Sequence, residues 1–139
     1  MDILKRLDLA TSLVKRAESQ GYKAIVVTVD FPFFGIRHSE RRNGFKLPSH
    51  LSFESVKSLF EDAQVDNDTF NTFYDPSTTW DIIGWLRTIT ELPIVVKGIL
   101  TAEDAKLAVQ HGVDAILVSN HGGRQLDGVP ATVSVNYCR

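Results

Sequence analysis

Ala115-Ile116-Leu117-Val118-Ser119-Asn120-His121-Gly122-Gly123-Arg124-Gln125-Leu126-Asp127 is the stretch on which the reading of this chain turns. A short, continuous apolar run bounded by turn residues predicts a buried strand. It ends in a glycine-softened turn that holds an imidazole, a guanidinium and a carboxylate. Gly122-Gly123 opens φ values closed to other residues and lets the backbone approach a flat ligand. An imidazole takes up a proton near neutral pH, and a guanidinium fork matches a carboxylate through two parallel hydrogen bonds. His121 and Arg124 together suggest proton abstraction from a small acid. The same residues would also suit a solvated turn whose polar groups only cap the strand.

Outward from this loop, the pattern repeats. Thr101 with Asp104 three residues on is a capping-box signal for a helix carrying Ala105, Ala108 and Val109 and stopping at Gly112. Pro93 opens a strand over residues 94–97. Thr78 with Asp81 signals another helix, with Trp80, Ile83, Leu86 and Ile89 on one side. Further upstream, Ala24-Ile25-Val26-Val27-Thr28-Val29 reads as a parallel strand covered on both faces. Before it, Leu9, Leu13, Val14 and Ala17 keep helical spacing over residues 8–20, up to Gly21. Helices alternating with apolar strands predict an α/β fold, either an open parallel sheet or a (β/α)8 barrel. The connection between Asp30 and Thr78 is far longer than such units need. Gly44, Pro48 and the acidic residues 61–68 suggest an inserted, partly mobile active-site loop there.

Composition sets outer bounds. The 139 residues, 43% hydrophobic and 23% charged, have a globular balance. A net charge of -2 leaves no basic footprint for nucleic acid or an anionic membrane. The apolar runs are too short for a membrane helix, and the first residues lack the apolar core of a secretory signal. Cys138 is the single cysteine, which is compatible with a reducing compartment. His38, His50 and His111 form no ligand pattern, so no metal site is expected.

In a βα barrel the chemistry sits at the carboxyl ends of the strands. Those ends carry Thr28 to Asp30, Lys97, and Ser119 to His121. Each has a plain alternative: a strand-end lysine is commonly a solvated or phosphate-facing charge, and an aspartate after a strand commonly caps the next turn.

LPIVVKGILTAEDAKLAVQHGVDAILVSNHGGRQLDGVPAT, residues 92–132, resembles the FMN-dependent α-hydroxy-acid oxidases and dehydrogenases, most of all the glycolate oxidase/hydroxyacid oxidase branch. The likeness extends to AESQGYKAIVVTVD at residues 17–30 and to residues 35–48 and 79–90. It implies a fragment of a (β/α)8 barrel, about strands 4 to 6 with a long loop after strand 4. Residues 1–132 would be a partial hydroxy-acid dehydrogenase domain and residues 133–139 a divergent tail.

The resemblance also implies roles. Lys97 would place its charge beside the flavin's N1/C2-carbonyl edge and favour the reduced ring. Thr28 would meet the pyrimidine edge, and Ser119 and Gln125 would line the FMN pocket, although Gln125 could equally be structural. Asp30 would fix and stabilise His121, the base that takes a proton from the α-carbon or the hydroxyl of the substrate. Arg124 and Arg37 would hold the substrate carboxylate, although Arg37 could equally be a surface arginine. Phe33 and Ile36 stand where several relatives carry arginines, which suggests a different side-chain preference.

The implied reaction oxidises a small (S)-2-hydroxy acid such as glycolate to the 2-oxo acid, with dioxygen reduced to hydrogen peroxide. A lactate or mandelate dehydrogenase or monooxygenase is the alternative within the family. A catalytically silent truncated chain is the other, because a full barrel takes about 250 residues and three strands alone leave open edges. The family further implies peroxisomal location, although Tyr137-Cys138-Arg139 is not a targeting tripeptide. It also implies homo-oligomers for the full-length relatives.

Overall fold

The computed structural model describes residues 1–46, 48, 50–51 and 72–135. Helix α1 (Leu7–Ser19) leads to strand β1 (Ile25–Thr28), a short helix α2 (His38–Asn43) and helix α3 (Asp81–Ile89). Strand β2 (Ile94–Ile99), helix α4 (Ala102–Gln110), strand β3 (Ala115–Val118), a 3-10 turn (His121–Gly123) and helix α5 (Thr132–Val135) follow. The strands form one parallel sheet in the order β1-β2-β3. The acidic residues 61–68 and Cys138 lie outside the described residues.

The expected helix and strand boundaries around α1, α4 and β3 are met to within a residue or two. Among the described residues one face of the strands is covered. The apolar run at residues 24–29 predicted cover on both faces, yet Ile25 and Val27 are buried while Val26 is 38% exposed. One face of the sheet packs against Val14 of α1, Ile83 and Leu86 of α3 and Ala108 of α4. The other face has no helix over it among the described residues, and Val26 and Leu117 are exposed there. That is how a barrel strand is built: one side faces the helices and the other faces the barrel interior.

The three strands have different edges. β2 is central, pairing Ile94 to Lys97 with Ile25 to Thr28 on one side, and its residues from Val95 on with β3 on the other. Along the free edge of β1, the Met1 amino group donates to Val26 O and Thr28 N donates to Met1 O. Hydrogen bonds from Met1 to the residues either side of Val27 are those of a parallel neighbour, so this edge is not bare. β3 has no strand on its outer side among the described residues.

β2 does not end at Lys97. It continues to Ile99 through an irregularity at Gly98, whose φ is 112°. The irregularity breaks the two-residue alternation. Lys97 therefore stays on the uncovered face, and Ile99 joins the core instead of residue 98.

Helix starts show which sequence signals acted. Thr101 Oγ1 accepts from Asp104 N at 3.1 Å and donates to Asp104 Oδ2 at 2.8 Å, so this capping pair forms. Thr78 and Asp81 do not form one. Thr78 Oγ1 donates to Asp75 O at 2.9 Å, and Thr79 takes over, donating to Asp81 Oδ2 at 3.1 Å and accepting from Asp81 N at 3.4 Å. Helix α3 starts at Asp81 and packs Ile83 and Leu86 inward as expected. Of Ala105, Ala108 and Val109 in α4, Ala108 is buried and Ala105 packs against the core, whereas Val109 is 68% exposed. Helix α2 had no periodic signal in the sequence; Gly44 in the left-handed region (φ 58°) ends it.

At the amino ends of the strands a polar clamp holds the layers together. Arg87 donates to the carbonyl of Gly112 and to the Asp114 carboxylate, whose Oδ2 also accepts from Ile94 N at 2.7 Å. The buried Thr90 donates to Glu18, tying α3 to α1. The opposite end of the sheet carries the groups singled out for chemistry.

Candidate active site

Asp30 follows β1 by two residues and His121 follows β3 by three. Because β1 and β3 flank β2 in a parallel sheet, both emerge at the same rim, one on each side of Lys97. His121 Nδ1 lies 2.9 Å from Asp30 Oδ1 and 3.4 Å from Lys97 Nζ, and Lys97 Nζ lies 4.0 Å from Asp30 Oδ1. The three side chains are 24%, 14% and 25% exposed for His121, Asp30 and Lys97, which is sheltered enough for the charges to act strongly on one another.

An ammonium can only donate and a carboxylate can only accept, so the Asp30 contact sets the imidazole. In the neutral ring this contact has Nδ1–H donating to Asp30 Oδ1, which leaves the lone pair on Nε2. Proton uptake at Nε2 yields an imidazolium that the same carboxylate stabilises.

The backbone of the loop is shaped for this. His121 is the one described non-glycine residue at positive φ, 57°. A non-glycine residue in the left-handed region persists where its surroundings hold it. Here Ser119 Oγ accepts from His121 N at 3.0 Å, and Asn120 Oδ1 accepts from Gly122 N at 3.1 Å. Gly122, at φ 64°, leaves room for the Arg124 guanidinium: a Cβ there would sit 3.3 Å from Arg124 Nη2. Arg124 Nε donates to His121 O at 3.2 Å, so the guanidinium is folded back over the turn it belongs to.

Arg37 stands apart from this group. Its Nη1 pairs with Glu40 Oε1 at 3.0 Å and its guanidinium lies 4.9 Å from the Phe34 ring centre. Phe34 meets Phe31 edge-on at 5.1 Å, and Phe31 stacks on the His121 imidazole at 5.8 Å. Arg37 thus reaches the histidine only through two aromatic rings. Phe31 and Tyr74, which pack edge-to-face at 5.3 Å, were not expected at the site. Burial pushes the Tyr74 hydroxyl up to about 12, so it stays a neutral donor across the physiological range. Phe31 follows Asp30 directly, and an aromatic residue after a strand-end acid was the only sequence signal for it.

Thr28 and Lys97 are register partners on adjacent strands and share the uncovered face. A hydroxyl beside an ammonium supplies donors for the carbonyl and N1 edge of a flavin's pyrimidine ring, and the uncovered face offers it a flat approach. The donor set therefore fits FMN. Bound FMN would supply a two-electron acceptor; Lys97 and Thr28 would hold its pyrimidine edge. Among the described residues no cluster of three or more His, Cys, Asp or Glu side chains could hold a metal ion, and no helix is long and apolar enough to cross a membrane.

Residues 1–136 match the FMN-dependent dehydrogenase family. The chain belongs to this family. It is 55% identical over 142 residues to 2-hydroxyacid oxidase 1 of Mus musculus, covering 96% of this chain and 38% of the relative. It is 50% identical to the peroxisomal (S)-2-hydroxyacid oxidase GLO3 of Arabidopsis thaliana, again covering 96% of this chain and 38% of the relative. A solved mandelate oxidase with (S)-4-hydroxymandelic acid superposes with a TM-score of 0.86 at 38% identity, over 97% of this chain and 39% of that one. The expected fold class is thus met: three parallel βα units of a family whose solved members are barrels, with the chain spanning well under half the length of its relatives. The FMN-dependent dehydrogenase's cofactor is the one the Lys97 and Thr28 pair suits.

Proposed function

We propose that this FMN-dependent dehydrogenase family protein serves the oxidation of a small 2-hydroxy acid to the 2-oxo acid, the two electrons and two protons passing to FMN and then to dioxygen to give hydrogen peroxide. The observation that carries this reading is the pairing of His121 Nδ1 with Asp30 Oδ1 beside Lys97. His121 accepts the substrate proton at Nε2, Asp30 stabilises the resulting imidazolium, and Arg124 holds the substrate carboxylate once its guanidinium unfolds from the turn. Arg37 is a second carboxylate ligand if it leaves Glu40. Ser119 acts through the His121 backbone. Relatives named as 2-hydroxyacid oxidases support the substrate class. The relative named as peroxisomal supports that location.

The test is to titrate the purified chain with FMN, remove oxygen and add glycolate, lactate or mandelate. Bleaching of the bound flavin, and peroxide on readmitting air, are the expected results. A chain that binds no FMN overturns the reading. Bound flavin that stays oxidised with all three acids favours a second reading, a catalytically silent segment, which the uncovered apolar face with Val26 and Leu117 supports.

A further inference from the structure

We propose that Gly98 and Gln125 are positioning residues that seat the Asp30 carboxylate and so decide which ring nitrogen of His121 keeps its lone pair; this rests on His121 acting as the proton acceptor. Neither residue touches the reacting atoms. Both act through Asp30.

Gly98 provides the seat. A Cβ at this position would lie 2.5 Å from Asp30 Cγ, 2.6 Å from Asp30 Cβ and 2.8 Å from Oδ1, and the φ of 112° is one that L side chains rarely adopt. The carboxyl group therefore rests on bare backbone near the carboxyl end of β2, and any side chain there expels it. Gln125 provides the tether. Its Nε2 donates to Asp30 O and to Phe33 O, both at 3.1 Å, which uses both amide hydrogens on the segment after β1. Gly35, in the same segment, sits so close to the signature loop that a Cβ would lie 2.5 Å from Arg124 O.

Little else holds the carboxylate. Asp30 Oδ2 is buried with no hydrogen-bond partner among the described residues, and Oδ1 has the His121 bond and the 4.0 Å contact with Lys97. The position of Asp30 thus depends on the space over Gly98, the Gln125 tether and His121 itself.

The consequence of losing that position follows from Lys97. Its ammonium lies 3.4 Å from the same Nδ1 and has no lone pair to offer. With Asp30 in place, Nδ1 must be protonated. With Asp30 displaced, Nδ1 faces only the ammonium and turns into the acceptor, so the ring proton moves to Nε2 and the base is lost.

The ring tautomer can be read directly from long-range proton–nitrogen correlations of the 15N-labelled chain, at about pH 8.5, where an ordinary imidazole is neutral. The chain has four histidines, and His121→Asn assigns the His121 signal. In the wild type the expected pattern is protonated Nδ1 and bare Nε2. In Gly98→Ala and in Gln125→Met, which keeps the length and removes both donors, the majority form should reverse. Should Gly98→Ala fail to fold, Gln125→Met and Gln125→Glu carry the test, each checked for native methyl shifts. A folded Gln125→Met that keeps the wild-type tautomer overturns the proposal, as does a wild type whose Nδ1 is bare.

FMN titration of the same samples separates the two readings. Gln125→Met should bind FMN as the wild type does, and a loss of FMN affinity without tautomer reversal would assign Gln125 to the flavin pocket instead. A tautomer that reverses in a chain that never binds FMN upholds the seating of Asp30 and sinks the proposed function alone.

Discussion

Thr28 and Lys97 stand opposite each other on neighbouring parallel strands, with both side chains on the face that the helices leave uncovered. A hydrogen bond to a charged group contributes about 1.5–3 kcal/mol, and a neutral one about 1. Lys97→Met should therefore weaken FMN binding about ten- to a hundredfold, and Thr28→Val only about fivefold. Fluorescence quenching of added FMN measures both. Equal affinity in wild type and Lys97→Met would remove the lysine from the flavin site.

Asp30→Asn places an amide against His121 Nδ1, and the amide can donate as well as accept. In enzymes with a His–Asp pair, the wrong ring tautomer that results lowers turnover by about 10⁴-fold. Flavin reduction by substrate should fall by about three orders of magnitude or more, with FMN affinity within about twofold of wild type. Anaerobic stopped-flow absorbance gives the first quantity and titration the second.

Leu86 is fully buried between α3 and the sheet, whereas Val109 is 68% exposed. Leu86→Ala should cost about 2–5 kcal/mol of stability and Val109→Ala less than about 0.5. Urea unfolding followed by circular dichroism compares them. A large effect at Val109 would mean that another surface covers α4 in solution.

Asp114 accepts a hydrogen bond from Ile94 N and pairs with Arg87, and these contacts hold its carboxyl below the ordinary aspartate range. A depressed folded-state value stabilises the fold above the unfolded-state value, and the contribution is lost as pH falls through the folded one. Stability should decline below about pH 4. Asp114→Asn should be less stable at neutral pH and should show a shallower decline on acidification, read from melting temperatures between about pH 2 and 7.

Gly35→Ala puts a methyl against the backbone oxygen of Arg124, where no side chain can turn aside. Overpacking of this kind costs about 1–3 kcal/mol. The loop from Ser119 to Gln125 should shift with it, visible as amide shift changes at Gly122 and Gly123. Unchanged spectra would show that the two loops move independently.

The order of helices and strands was legible from local pattern, because apolar spacing and a capping threonine act over a few neighbouring residues. Val14, Ile83, Leu86 and Ala108 all face the core as their spacing requires. The Thr78 pairing failed for a local reason as well: Asp75 offered a carbonyl to the hydroxyl, and Thr79 was as well placed to meet Asp81. Among the described residues the run at 24–29 is covered on its helix side, and Val26 lies on the side that faces the interior of a barrel.

Sequence alone placed a histidine, an aspartate and a lysine at the ends of three apolar segments, since strand formation and its termination are decided by adjacent residues. Tertiary structure decided that they meet. Parallel pairing brings Asp30 and His121 together across 91 positions, and the break at Gly98 opens the space that the Asp30 carboxyl fills. No local rule shows that Gly98 is bare for the benefit of a side chain just past the end of the neighbouring strand, because that requirement exists only once the strands lie side by side.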